Sequence, residues 1–381
     1  MKPTNQYLVF DFVGVVLCQD VFKAGREYRF SFLSGMFANF YCYFITYTTF
    51  LVITQQFGAI DGWKFEDMGL YDRLKLISIR RSTNWNLKNG RAAMKFKQYT
   101  DVHEFYNDTY DVLMRHEAQN MIPLGNIIIG HEGKDKTSWR DPANWLMATV
   151  YDESGIQLTA VMTPPHNITL YATDNLINPI AINCLLEGLT NYEIPGVTTE
   201  KTLAEYFTNE YTARKNLTFE ISMSQRIYEL TAVSPNIKQF GNIRLLDEKD
   251  MHYFPYWAEA FNAANIYGKT EMFIPQDIDP YSYRLSTKKL YVLEDNDIPV
   301  SMAGFTREMQ TAIGVAFVYT PPYWRGRGYA TSCVAQISQI ALDNGFARCV
   351  LYTDLLNPTS NSIYQKIGYV PVCDSLMLKF E

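Results

Sequence analysis

The sequence predicts an α/β (α+β) fold in which two related domains stand in tandem, and three observations carry that prediction. One order of elements (strand, helix, strands, loop, helix) occurs twice between residues 95 and 381. Turn-forming clusters such as Asp152-Glu153-Ser154-Gly155 and Pro164-Pro165-His166-Asn167 separate runs with strand alternation from runs with helical spacing. Apolar residues make up 47% of the 381 residues and charged ones 19%, enough apolar material for two or three packed cores.

The first 93 residues stand apart from the repeat. Residues 30–60 contain no charged side chain, and FANFYCYFITYTTFLVI is their apolar centre. That length suits a membrane span, while the interspersed Ser, Thr and Asn and the β-rich content suit buried strands equally well. Lys23, Arg26 and Arg29 precede the stretch, and Asp61, Glu66 and Asp67 follow it. A single span would then place everything downstream outside the cell. A third reading has the folded chain begin at Met94, with residues 1–93 as a mis-assigned start or an appended tail. These three readings stay open at this point.

The middle piece, residues 95–236, starts with a short strand and a helix from Asp101 to about Gln119, capped by Thr100 or Asp101. Strands are expected at 145–151, 156–162 and 168–172, helices at 180–189 and 203–215, and a strand at 218–230. The last piece, residues 240–381, repeats the order. It has a strand at 242–246, a helix over about 248–265, and strands at 290–294, 300–306 and 312–319. A glycine-bearing loop at 321–328 leads to a helix stopped by Gly345, a strand at 349–353, a helix near 360–367 and a final strand. The segment ITLYATDNLINPIAINCLLEGL aligns in element order with IGVAFVYTPPYWRGRGYATSCVAQIS, but only the second carries arginines and glycines in its loop.

That second loop carries the chemistry. Gly326 and Gly328 free the backbone to turn its N–H groups toward one point. The helix starting at Tyr329 or Ala330 adds unsatisfied donors and partial positive charge, and Arg325 and Arg327 add guanidinium groups suited to phosphate. A bare R-G-R-G could equally be a solvated turn. The dinucleotide-fold spacing G-x-G-x-x-G and the pattern G-x-x-x-x-G-K-[ST] are both missing. Cysteines and histidines are scattered, with no C-x-x-C pair, so neither a disulfide framework nor a metal site is expected. A net charge of −6 without a basic run gives no nucleic-acid footprint.

Arg325-Gly326-Arg327-Gly328-Tyr329-Ala330 resembles the R/Q-x-x-G-x-G/A signature of the GCN5-related N-acetyltransferases (GNAT), and it follows the fourth strand, as in that family. The later stretch NPTSNSIYQKIGYVPV resembles the family's closing motif. The resemblance covers most of the final 140 residues. It implies tandem GNAT-like domains, each a mixed, mostly antiparallel sheet flanked by helices, with a catalytic domain at 240–381 and a degenerate one at 95–236. It implies acetyl-CoA as co-substrate. Backbone groups of Phe317, Val318 and Tyr319 would hold the pantetheine amides and those of Arg325 to Ala330 the pyrophosphate, while Asn357 would hydrogen-bond near the pantetheine arm or to a bridging water. Tyr364 would protonate the departing thiolate, although flanking Ile363 and Ile367 also fit a plain core tyrosine. Glu308, in the hairpin between the third and fourth strands, is one base candidate, a water chain another. The loop Asp174 to Pro179 departs from the motif, and no acetyl-CoA binding is expected there.

The implied reaction is direct acetyl transfer to a primary amine of a small molecule or peptide, since no cysteine sits in a motif suited to a covalent intermediate. The alternative is a non-catalytic CoA-binding module, regulatory or attached to a membrane through residues 30–60. A cytoplasmic location is expected from the cofactor and from reduced thiols. The acceptor and the oligomeric state are not legible.

Overall fold

A computed structural model describes residues 94–133, 141–265 and 279–381, which share one compact unit. The stretch 30–60 and the rest of the N-terminal 93 residues lie outside the described residues. Among the described residues, no helix is long and apolar enough to cross a membrane.

The first half runs β1 (Lys95–Tyr99), α1 (Val102–Met114), α2 (Met121–Glu132), β2 (Leu146–Asp152), β3 (Gly155–Met162), β4 (Thr169–Ala172), α3 (Pro179–Gly188), β5 (Gly196–Glu200), α4 (Lys201–Lys215) and β6 (Phe219–Leu230). The second half repeats it with β7 (Asn242–Leu245), α5 (Phe254–Asn265), α6 (Asp279–Ser286), β8 (Leu290–Asp295), β9 (Ile298–Glu308), β10 (Ala312–Tyr319), α7 (Tyr329–Asp343), β11 (Arg348–Asp354), α8 (Pro358–Ile367) and β12 (Val370–Phe380). Both halves are mixed α/β with mostly antiparallel pairing.

Local chemistry explains most boundaries. Asp101 caps α1 by accepting from the His103 N–H, and Asn178 caps α3 by accepting from the Ile180 N–H. Gly133 and Gly368 end α2 and α8 in the left-handed region. Two helices and one strand go beyond the sequence expectation. The apolar segment MIPLGNIIIGHE forms α2, the residues after 278 form α6, and GVTTE forms β5.

The sheets do not part where the sequence boundary near 236–240 would divide them. Strand order is β1-β2-β3-β4 in one sheet and β5-β12-β6-β11-β10-β9-β8-β7 in the other, and a parallel bridge between Ile168 and Val197 joins them. Each half therefore gives its last strand to the other. β6 lies against β11, and β12 lies against β5, both antiparallel. β6 and β12 pair with each other, stapled by a bidentate Arg226–Asp374 ion pair at 2.6 and 3.0 Å.

Helices cover both faces. On one face α7 and α8 bury Cys333, Val334, Ile337, Tyr364 and Ile367 against Val315 and Leu351. On the other, α1 and α2 bury Phe105, Leu113, Leu124 and Ile127 with Ile227, Ala312 and Val350, so a first-half helix pair packs on second-half strands. α5 and α6 cover the remainder of that face beside Phe317 and Tyr319. Each fully buried Val, Leu, Ile or Phe side chain contributes roughly 1.5–3 kcal/mol.

Candidate active site

The site is built on an opening between β10 and β11. These parallel strands pair only at Ala312–Arg348, Ile313–Cys349 and Gly314–Val350. From Val315 to Tyr319 the β11 side of β10 has no ladder partner. On its other side β10 follows β9 until Ala316 faces Gly304, and pairing resumes with Tyr319 facing Met302. One residue too many lies between those pairs, which makes a bulge, and Phe317 takes φ 57° within it. A positive φ at phenylalanine is strained, and at this position it turns backbone amides out of the ladder.

The strand's end is fixed. The buried Ser301 hydroxyl donates to the Tyr319 carbonyl at 3.1 Å and shares a hydrogen bond with the Thr320 hydroxyl at 2.8 Å. A single helical turn, Pro322–Trp324, follows, and then the glycine loop. Gly326 has φ 76° with open space where a Cβ would lie. Gly328 has φ 85°, and a Cβ there would stand 3.2 Å from the Phe240 ring. Gly328 is also the N-cap of α7 and has no side chain to satisfy the first-turn amides, which leaves that helix start without a side-chain cap. Both arginines are exposed at this mouth. Arg325 donates from Nε to the Thr320 carbonyl at 2.9 Å, and Arg327 lies about 5 Å from the ring centres of Tyr323 and Trp324.

Sequence reasoning missed how the helix start is held. The Ser332 hydroxyl donates to the Phe240 carbonyl at 2.7 Å and accepts from the Phe240 N–H at 2.9 Å, while the Phe240 ring meets Tyr329 edge-on at 5.4 Å. Tyr329 in turn donates to Asp295 at 2.5 Å. The linker between the halves thus staples the first turn of α7 in place.

Tyr364 lies on α8 in the same core cluster as Val315, Val318 and Leu351, the residues that line the opening. It is 8% exposed, and its hydroxyl has no hydrogen-bond partner among the described residues. Burial pushes its pKa up to about 12, so the hydroxyl stays protonated at neutral pH. Tyr228, on the strand received from the first half, lies 6.4 Å away ring to ring and holds α8 through Asn361 and Gln365. Asn357 caps α8 by accepting from the Ser360 N–H at 3.0 Å.

Two further expectations meet the structure here. Glu308 is not brought to the bulge. It stands at the other end of the β9–β10 hairpin, half exposed and paired with Lys289 at 3.0 Å. It faces Ile313, four residues and roughly 13 Å of strand from Phe317. Cys333 is fully buried, and burial drives its thiol to about 12, which leaves it protonated packing.

Across the opening, α5 and α6 supply aromatic groups that the sequence did not single out. Phe261 meets Phe317 at 5.5 Å, Trp257 meets Tyr319 at 5.9 Å, and the Arg284 guanidinium lies 4.8 Å from the Phe317 ring centre. The aromatic wall is amphipathic surface next to the bulge.

At the equivalent place in the first half, β4 and β5 meet at the isolated Ile168–Val197 bridge. Thr199 donates to the Leu170 carbonyl across β4 and β5. The loop acid Asp174 is paired with Arg115 at 2.9 Å, and the α3 N-terminus is already capped by Asn178 with Pro179 behind it. Among the described residues, no group of three or more His, Cys, Asp or Glu is placed to hold a metal ion.

Residues 254–369 match the family described as Acetyltransferase (GNAT) family. No curated protein matches the sequence. Among solved structures, the chain is similar to a GNAT-family acetyltransferase from Colwellia psychrerythraea, at 15% identity and TM-score 0.46 over 75% of this chain and 99% of that one. It is also similar to a GCN5-related N-acetyltransferase from Sphaerobacter thermophilus, at 11% identity and TM-score 0.46 over 75% and 95%. A third is a tandem GNAT protein from the clavulanic acid biosynthesis pathway, at 10% identity and TM-score 0.45 over 76% and 98%. Residues 254–369, with the splayed strands and the glycine loop at their centre, form an acetyltransferase domain of the GNAT family.

Proposed function

We propose that the protein transfers an acetyl group from acetyl-CoA directly to a primary amine of a small molecule or peptide. The observation that carries this reading is the unpaired β10 edge from Val315 to Tyr319, ending at a glycine loop whose helix N-terminus is uncapped. An extended pantetheine arm offers amides that complete such an edge. The Arg325–Ala330 backbone, Arg325 and Arg327 suit a pyrophosphate. Asn357 keeps its side-chain NH2 without a partner among the described residues, free to donate to the arm.

In this reading the amine nitrogen attacks the thioester carbon, and amides released by the Phe317 bulge stabilise the oxyanion. The C–S bond then breaks, and the sulfur takes the proton of the Tyr364 hydroxyl. The proton lost by the amine returns to Tyr364 through solvent, so the products are the amide and free CoA thiol. The acceptor enters from the α5–α6 side, where aromatic faces suit a cationic group. Availability of acetyl-CoA places the protein in the cytoplasm in this proposal.

The test is thiol release from acetyl-CoA by the full chain with a panel of primary amines. Turnover with any of them supports the reading. Tight CoA binding with no turnover across peptide, amino-sugar and polyamine acceptors would favour a non-catalytic CoA-binding module instead.

A further inference from the structure

The turn between α1 and α2 belongs to the first half, yet its side chains reach both halves. Arg115 pairs with Asp174, His116 shares a hydrogen bond with the Tyr171 hydroxyl at 2.7 Å, and Gln119 donates to Asn175 at 2.7 Å. Those contacts hold the end of β4 and the loop after it. From the same turn, Glu117 points the opposite way. Its carboxylate is 6% exposed and accepts from the Thr311 N–H at 2.9 Å, the Ala312 N–H at 3.2 Å and the Thr311 hydroxyl. The Gln119 carbonyl accepts from the Tyr352 hydroxyl of β11 at 2.9 Å.

Thr311 is the closed apex of the opening. Its carbonyl accepts from the Ala347 and Arg348 N–H groups at 2.8 and 3.2 Å, which joins the starts of β10 and β11 before they diverge. Glu117 therefore saturates the donors of the residue at which the two strands meet. α2 presses on the same place. A Cβ at Gly314, the last residue pairing with β11, would stand 2.9 Å from the Met121 sulfur.

We propose that Glu117 is a positioning residue for acetyl transfer: from the half that has no cofactor loop, it pins the apex at Thr311 and so fixes how far β10 opens from β11. The proposal rests on the reading of that opening as the acetyl-CoA site. Without the carboxylate, the half-buried Thr311 N–H and the buried Ala312 N–H lose their acceptor, and the strand that carries the bulge loses its anchor. A carboxylate serving only general stability would affect the whole fold evenly, whereas an apex clamp acts on β10 first.

The test uses the full chain with Glu117→Ala and Glu117→Gln. Glutamine retains an oxygen for the two N–H donors and can donate to the Thr311 hydroxyl. Hydrogen exchange is followed without ligand, and CoA affinity by calorimetry. Glu117→Ala is expected to speed exchange at Ile313–Tyr319 by about tenfold relative to β2 and β3, and to weaken CoA by a similar factor. Glu117→Gln is expected to restore most of both. A uniform rise in exchange, an unchanged CoA affinity in Glu117→Ala, or a glutamine variant no better than alanine would overturn the proposal. If Glu117→Ala does not fold, Thr311→Val keeps the N–H bond and drops the hydroxyl. It should give a smaller rise confined to the same segment, and no rise there would count against the clamp. A wild-type chain that binds no CoA would sink the functional reading alone, since the ligand-free exchange still judges the clamp.

Discussion

Replacing Tyr364 by phenylalanine removes one oxygen and little else. The hydroxyl makes no hydrogen bond among the described residues, so its loss leaves no orphaned partner in the core, and the ring contacts with Tyr228 and Tyr369 at 6.4 and 5.9 Å are retained. Thermal stability should stay within about 1 kcal/mol of wild type, the usual range for a substitution without a lost partner. Catalysis should respond differently. A donor to a developing thiolate is a hydrogen bond to a charged group, worth about 1.5–3 kcal/mol. That corresponds to a fall of about 10- to 100-fold in kcat. The cofactor is held elsewhere, so KM for acetyl-CoA should not move. Because burial pushes the pKa to about 12, the tyrosine itself contributes no inflection to the rate between pH 6 and 9. The assay is continuous thiol release with calorimetric melting on the same preparation. Wild-type kcat in the phenylalanine variant would refute the acid role. A large drop in melting temperature would mean that the hydroxyl has a structural partner.

Other outcomes follow from the same geometry. Arg327→Glu places like charge beside the pyrophosphate and unstacks Tyr323 and Trp324, and should weaken CoA at least about tenfold by calorimetry, with the wild-type affinity falling as salt rises. Phe261→Ala opens the aromatic wall facing Phe317, and should raise KM for the acceptor while CoA affinity holds. Arg244→Met strips the partner of Asp250, which is 1% exposed and held by two bonds at 2.7 and 2.8 Å. Leaving that charge buried should cost about 3–5 kcal/mol in urea unfolding. Burial opposes ionisation of Asp250, but Arg244, the Asp247 N–H and the Tyr253 hydroxyl outweigh it and lower the pKa below the ordinary value. The stability it contributes is therefore present above pH 4 and lost as pH falls through the lowered value, a slope that Arg244→Met should abolish.

The glycine–arginine loop at 325–330 was legible because its message is local. Two glycines and two arginines before a helix state their chemistry within six residues. The strands and helices with clear period or caps were legible for the same reason. α2 was not, because MIPLGNIIIGHE is apolar on nearly all sides and carries no helical stripe. β5 was missed because five residues of GVTTE mean little without their partner β12, some 175 positions along the chain. The exchange of β6 and β12 leaves no local mark, since alternation specifies a buried face and says nothing of which strand lies beside it. Nothing in AIGVAFVY announces that Phe317 takes a left-handed conformation. Glu308 stood as one base candidate beside a water chain because hairpin sequence gives proximity to a strand, and only the register sets it opposite Ile313. Glu117 was invisible for the reason β5 was: its partner Thr311 lies 194 residues away.

If the unpaired edge of β10 and the first turn of α7 receive CoA, amide exchange with and without that ligand will register it at those backbone groups. CoA should slow exchange at Val315–Tyr319 and at Gly326–Thr331, and leave the first-half loop at 173–179 unchanged. Protection at 173–179, or no protection at either second-half segment in a folded chain, would contradict it.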